Sequence, residues 1–408
     1  MSESDVSEEI AALEANKQQR IRALVPRNLP DRPPEKAPRF IIIVGQPGSG
    51  KSTIQERVAN ALGPSVASYD GDDNARIHPR FTEIMRDNGL QGQASVESRL
   101  PHGLDDELLG HLRGDEGGPT YDVVTSHPFW ANEHADIWFD GFHERGYEST
   151  AVFVATHESN SLVGVAHRYQ RRRDDPSRGY GRWVEAAAHD SSYAKGPRIA
   201  HELESTGKVA HIYVVNRDGG VLYENHRGPD GAMRDPLGAR EAIVRERERV
   251  PTPEETERFD KIVSYMRSTD PEVRTEPLDG MVKKAVDYAE TDQRNLRRSG
   301  RVAETTAPRR PIDAALREQM RGTPEGAETA RTAEAAARSG LARNAPPRSS
   351  ASRLRDLARS GRSSSGASGA AQGPVQRGSL PYGPLSRGTG SSPRGSTPGR
   401  GVDDGFER

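Results

Sequence analysis

Of the residues in this chain that could do chemistry, the most tightly spaced are Gly45–Ser52, reading GQPGSGKS directly behind the apolar run Phe40–Val44. The spacing G-x-x-x-x-G-K-S is that of a phosphate-binding (Walker A) loop, whose glycines let successive backbone N–H groups curl around phosphate oxygens without Cβ interference. Gly45, Gln46, Pro47, Gly48, Ser49 and Gly50 form the expected cradle, Lys51 reaches the β- and γ-phosphates, Ser52 offers a hydroxyl to Mg²⁺, and Thr53 completes the nucleotide-binding set. ATP or GTP with Mg²⁺ is the cofactor this implies.

Two further groups supply what phosphoryl transfer needs beyond a nucleotide. Asp72, in SYDGDD, stands just past the apolar stretch Val66–Tyr69, where a carboxylate can accept the proton of an acceptor hydroxyl. Asp70 and Asp73 are open to a turn or a Mg²⁺ role. The basic stretch Arg168–Arg173, followed by Arg178 and Arg182, offers guanidinium groups for the charge on a transferring phosphoryl group, although Arg171, Arg172 and Arg173 read as a solvated face. His78, His127, His134 and His189 show no metal-ligand spacing.

These residues need elements to hold them. Phe40–Val44, Val66–Tyr69, Tyr121–Thr125 and Thr150–Ala155 are near-continuous apolar runs, as expected of strands buried on both faces of a parallel sheet. Ile54, Val58, Ala61 and Leu62 share one helical face, so the glycine loop opens a helix over Thr53–Leu62 whose N-terminal dipole adds to the anion site. Helical stretches are expected between Arg80 and Arg113, over Ala131–Glu144, Ser161–Arg168, Pro253–Arg267 and Asp279–Asp292. Val209–Asn216 and Val221–Glu224, joined by RDGG, read as strand, turn and strand. The predicted fold is α/β, a doubly wound, mostly parallel sheet with the site at the carboxyl ends of its strands.

Composition sets the boundaries. Of 408 residues 33% are hydrophobic, and the β-branched and aromatic runs lie almost entirely before residue 290. Residues 1–37 are expected to form a packing helix over Glu8–Leu24 and a Pro-rich linker, residues 38–290 the catalytic domain, and residues 291–408 a disordered tail of Arg, Ser, Gly, Pro and Ala. Weak helical patches appear at Ala314–Arg321 and Ala327–Arg343. The net charge of -2 hides an arginine-rich tail and an acidic body. The tail has only Tyr382 and Phe406 as aromatics, so nucleic acid is not an expected partner. The chain has no cysteine, which excludes disulfides, thiol catalysis and Cys-ligated zinc. With no apolar run long enough to span a bilayer, a cytoplasmic protein without membrane contact is expected.

Taken together, GQPGSGKS, DGDDNARIHPRF (Asp70–Phe81), SLVGVAHRYQ (Ser161–Gln170), GYGRWVEAAAHD (Gly179–Asp190) and VVNRDGGVLYEN (Val214–Asn225) resemble the zeta toxin family of P-loop kinases. The resemblance spans about residues 38–230. It implies phosphorylation of a sugar hydroxyl of UDP-N-acetylglucosamine and a neutralising antitoxin protein as partner. It also implies Lys51 as the phosphate-binding lysine, Asp72 as catalytic base, Arg168 as the first transition-state arginine, and Arg182 as the second with Arg178 as the alternative. One departure stands out: where the family has a Glu-Gly-Thr turn that holds the sugar nucleotide, this chain reads Thr125-Ser126-His127. Thr125 and His127 can still hydrogen-bond a substrate, and Asp106 or Glu107 could supply the missing carboxylate. The alternatives are a P-loop kinase for another small-molecule hydroxyl, and a non-catalytic nucleotide-binding scaffold with an interaction tail.

Overall fold

The computed structural model describes residues 3–26, 28–29, 36–129, 132–268, 275–299 and 307–321. Helix α1 (Glu3–Leu24) leads into β1 (Arg39–Val44), α2 (Lys51–Leu62) and β2 (Val66–Tyr69), then a 3-10 helix at Gly71–Ile77. Short helices α3 (Phe81–Asp87) and α4 (Gly92–Glu97) and the longer α5 (Leu104–Arg113) precede β3 (Asp122–His127) and α6 (Asn132–His143). Then come β4 (Glu148–Val154), α7 (Glu158–Asp174), α8 (Ala186–Ser205), β5 (His211–Val215) and β6 (Val221–His226). The chain continues through α9 (Ala239–Glu248), α10 (Pro253–Ser268), α11 (Glu276–Ser299) and α12 (Ile312–Arg321).

The six strands form one sheet in the order β2-β3-β1-β4-β5-β6, parallel throughout except for the β5–β6 hairpin. Strand β1 lies in the middle, with Ile42 opposite Thr125 on one side and Ala151 on the other. Its side chains alternate between two cores. Phe40, Ile42 and Val44 pack with Phe139 and Phe142 of α6, while Ile41 and Ile43 pack with Ile54 and Val58 of α2. All five are nearly or fully buried, which is why the strand is apolar at every position rather than at alternate ones. This is the doubly wound α/β arrangement.

Helix α1 is a packing helix, and it packs beside the site. Its Arg20, 2% exposed, donates through Nη2 to the backbone oxygen of Asp70 (3.0 Å) and through Nε to Asn74 (3.3 Å). The aspartate-rich turn after β2 is thus supported from behind by the N-terminal helix.

At the level of elements the structure differs from expectation in two ways. Helices α8 and α9 were not anticipated, and α8 contains a Gly196-Pro197 pair, a combination that ordinarily breaks a helix. The pair is accommodated by a partner distant in sequence. Pro197 has no N–H for the carbonyl of Tyr193 one turn back, and Arg247 of α9 donates to that oxygen instead (2.6 Å). The second difference concerns the boundary at 290. Helix α11 runs on to Ser299, and α12, expected as a weak patch in the tail, is seated against α2. Ile312, Ala315 and Leu316, at i, i+3 and i+4, are at most 2% exposed and join the α2 side of the core. The preceding segment pairs with the sheet edge, Arg309 N donating to Val221 O (2.9 Å) and Val221 N to Arg310 O (2.8 Å). The predicted helix at Ala327–Arg343, the rest of the tail to 408 and part of the Pro-rich linker lie outside the described residues.

Candidate active site

The glycine loop lies between the end of β1 and α2, and its conformation requires glycine at two positions. Gly48 (φ 78°) and Gly50 (φ 104°) are left-handed, and a Cβ on Gly48 would lie 2.0 Å from the Ser161 carbonyl oxygen. Helix α7 therefore presses directly on the loop. Pro47, Gly48, Gly50, Lys51, Ser52 and Thr53 line a cleft of about 2970 Å³ at the carboxyl ends of the strands. Gly45, Gln46 and Ser49 lie behind the loop instead, with Gln46 and Ser49 fully buried.

Gln46 holds the loop from within. Its Nε2 donates to Thr156 O (3.0 Å) and Ser161 Oγ (3.2 Å), and its Oε1 accepts from Arg247 Nη2 (3.0 Å). The network continues from Ser161 Oγ to His189 Nε2 (2.8 Å), from His189 Nδ1 to Asp190 (3.2 Å), and from Asp190 to Lys284. Glu158, His189 and Asp190 could together hold a cation, and the Lys284 ammonium meets that need. Burial pushes the His189 imidazole down to about 4, so it is neutral at neutral pH. Sequence reasoning missed this buried relay because its members come from four elements.

Lys51 opens α2 and donates to the Gln46 carbonyl (3.1 Å). Burial, with repulsion from Arg168 and Arg182 outweighing the pull of Asp70, lowers its ammonium to about 7. Across the cleft, the 3-10 helix after β2 separates the three aspartates by role. Asp70 caps the turn, accepting from Asp72 N (3.1 Å). Asp73 pairs with Arg76 (3.0 Å), and Asp72 faces Arg182 across a 2.5 Å ion pair. Arg182 comes from the loop between α7 and α8, whose close approach to α7 needs Gly181: a Cβ there would meet Tyr169 O at 2.3 Å. Arg168 lines the same cleft from α7, four residues beyond Gly164, which touches the glycine loop. Arg178 also lines it, its carbonyl held by Arg86 Nε (2.8 Å). Lys51, Asp72, Arg168 and Arg182 thus meet in one cavity although they are spread over more than a hundred residues of sequence.

The other half of the cleft departs from expectation. Thr125 is fully buried in the middle of the sheet and takes no part in the cleft wall, whereas His127, two residues on, does. The His127 ring stands 5.5 Å from that of Trp138, which also lines the cleft. Glu107 points away and pairs with Lys17 (2.8 Å), and Asp106 lines the cleft while paired with Arg113 (2.8 Å). Two carboxylates that sequence reasoning passed over are there as well. Asp105 accepts from the Tyr69 hydroxyl (2.6 Å) and from Asn74, with its carboxyl raised chiefly by burial. Glu97 accepts from Gln93 (2.6 Å) through one oxygen, its other oxygen is buried without a partner, and burial raises it to about 7. The first-turn acidic run Asp105-Asp106-Glu107 was a signal for Asp105, but choosing among three adjacent carboxylates required the helix phase.

The zeta toxin family model matches residues 25–227. The "Toxin zeta" of Enterococcus hirae is 25% identical over 205 residues, covering 50% of this chain and 68% of that protein. The "Toxin zeta" of Streptococcus agalactiae is 25% identical over 221 residues, covering 53% and 74%. Among solved structures, one from the PezAT chromosomal toxin–antitoxin system of Streptococcus pneumoniae shares the fold with a TM-score of 0.51 at 15% identity, covering 64% of this chain and 98% of that one. Among the described residues no helix is long and apolar enough to cross a membrane. The matched span contains the glycine loop, the aspartate turn, Arg168 and Arg182, and through it this chain belongs to the zeta toxin family of kinase-like toxins.

Proposed function

We propose that the chain is a P-loop kinase that transfers the γ-phosphoryl group of ATP (or GTP) to a hydroxyl of a sugar nucleotide such as UDP-N-acetylglucosamine. The observation that carries this reading is the Asp72–Arg182 pair set in the same cleft as Lys51 and Arg168. The left-handed Gly48 and Gly50 leave the loop free of side chains at the position a phosphate needs, and Ser52 is exposed at its rim, so these residues fit a nucleotide with Mg²⁺ on Ser52. Bound there, the Mg²⁺ nucleotide would supply the transferable phosphoryl group.

The chain's own residues do the rest. Lys51 neutralises charge on the β/γ oxygens. Asp72 takes the proton of the acceptor hydroxyl as its oxygen bonds to the γ-phosphorus and the bond to the nucleoside diphosphate breaks. Arg168 and Arg182 stabilise the charge on the equatorial oxygens, and the ion pair with Asp72 favours Arg182 over Arg178 for this role. Trp138 and His127 offer ring faces to the acceptor, and Asp105 supplies the carboxylate that the Thr125–His127 turn lacks. A kinase acting on a different hydroxyl is the second reading, favoured by that same turn. A neutralising antitoxin is the proposed protein partner. Keeping Asp72, Arg168 and Arg182 together argues against a catalytically silent scaffold.

Incubation of the purified chain with labelled ATP and a panel of UDP-sugars decides between the first two readings. Label on UDP-N-acetylglucosamine that is lost in Lys51→Ala is the expected result. ATP binding with no labelled sugar nucleotide would move the assignment to another acceptor.

A further inference from the structure

The turn that carries Asp72 is a 3-10 helix of 7 residues, Gly71–Ile77, and such helices are usually shorter because their hydrogen-bond geometry is poor. This one is gripped at both ends by α1. Glu9, Asn16 and Arg20, at i, i+7 and i+11, share one face of α1, and each of them reaches the turn. Asn16 Nδ2 donates to the Ile77 carbonyl (2.8 Å). Glu9 accepts from His78 Nε2 (3.1 Å), the ring nitrogen that carries the proton because Nδ1 accepts from Arg80 N (3.2 Å). Arg20 holds the other end. The Asp70 carbonyl to which it donates also closes the first turn by accepting from Asp73 N (3.1 Å), and the Asp70 carboxylate accepts from Asp72 N. Asn74, its second partner, donates in turn to the Tyr69 hydroxyl (2.6 Å) and to Asp105. The Arg20 guanidinium is almost fully enclosed, and among the described residues its hydrogen bonds go to an amide and a backbone oxygen rather than to a carboxylate. If α1 needed only to pack, an aliphatic side chain there would avoid the cost of burying a cation.

We propose that Arg20 is a positioning residue for phosphoryl transfer: it fixes the backbone from Asp70 to Asn74, and with it the place of the Asp72 carboxylate relative to the glycine loop. This rests on the kinase reading above and adds that α1 serves the reaction and not packing alone. A misplacement of about 1 Å at a reacting group is enough to cost about 10²-fold in rate.

Arg20→Met in the full chain keeps the apolar stem and removes the donors. Assayed well below its melting transition, it should lose roughly 10- to 100-fold in kcat while KM for ATP holds. Arg20→Lys, which keeps the charge but not the fork of donors, should recover part of that loss, and it carries the same comparison if Arg20→Met does not fold. In an Asp72→Asn background the substitution should cost less than about twofold in the residual rate, because the group that Arg20 places is already gone. Equal losses in the two backgrounds, unchanged kcat, or a parallel loss of ATP affinity would each overturn the proposal. Hydrogen exchange supplies a readout that needs no activity: the Asp72 and Asp73 amides should exchange roughly tenfold faster or more in Arg20→Met. Exchange at the wild-type rate would overturn the grip on the turn. A wild-type chain that transfers no phosphoryl group to any acceptor would refute the kinase reading instead, and exchange would then decide whether Arg20 holds the turn.

Discussion

Asp72 and Lys51 carry the sharpest expectations because each has a different electrostatic neighbourhood. Asp72→Asn keeps the size of the side chain and a hydrogen bond to Arg182 while removing the proton acceptor. Turnover should fall by about 10² to 10⁴ with ATP affinity little changed, as read by initial rates beside calorimetric binding. Collapse of ATP binding with normal catalysis per bound nucleotide would make Asp72 a structural or metal residue. Lys51 titrates near 7 in the ligand-free protein because burial and two nearby guanidinium groups disfavour its charge. Phosphates in the loop reverse that balance. Nucleotide binding at about pH 8 should therefore take up about one proton, and binding at about pH 6 almost none, because there the lysine is already charged. Calorimetry in buffers of different ionisation heat measures this uptake, and a pH-independent value near zero would show that Lys51 does not meet the phosphates.

Between elements, the informative contact is Arg247, which joins α9 to both the proline notch of α8 and the glycine loop. One nitrogen satisfies the Tyr193 carbonyl left without a donor by Pro197, another holds Gln46, and the guanidinium lies 4.0 Å over the Tyr193 ring. A Cβ on Gly196 would already come within 3.3 Å of it, so the Gly-Pro pair that looks like a break in the helix is the socket for this arginine. Arg247→Met should weaken ATP binding roughly tenfold by releasing Gln46, since a buried hydrogen-bond partner is lost. Gln46→Ala should do the same. A double-mutant cycle on ATP affinity should show a coupling of about 0.5–3 kcal/mol, and additive losses would mean that Arg247 only stabilises α8.

For the whole molecule, the question is where folding ends. Ile312, Ala315 and Leu316 complete the core on the α2 side, and Arg310 ties the segment to Glu224 of β6 (2.8 Å). A chain cut before residue 307 should melt roughly 5–15 °C lower than one cut after Arg321, because two large aliphatic side chains leave the core and a sheet edge is uncovered. The chain cut after Arg321 should melt with the full-length protein, on the composition of what it removes. Equal melting of both truncations would mean that α12 adds nothing to stability.

What could be read from the sequence is what is local in sequence. The glycine loop is eight consecutive residues, and its backbone chemistry follows from their types, so Lys51 and Ser52 were legible at once. The strands were legible because burial on both faces removes alternation and leaves apolar runs. Asp72 was legible as a carboxylate just past a strand end, and Arg168 and Arg182 through likeness to a family. The rest depended on tertiary contact. Side-chain direction along β3 put Thr125 into the core and His127 into the cleft, a parity that a one-residue shift would invert. The phase of α5 chose Asp105 over Glu107 for the cleft, and packing gave α12 a place in the core that its weak propensity did not announce. Backbone conformation follows from neighbouring residues, but which face of an element is buried, and which charge finds a partner, depends on elements distant in the chain. For that reason the loop and the phosphate chemistry it suits came from the sequence, whereas the wall of the cleft, the Arg247 clasp and the limit of the folded body were decided only in three dimensions.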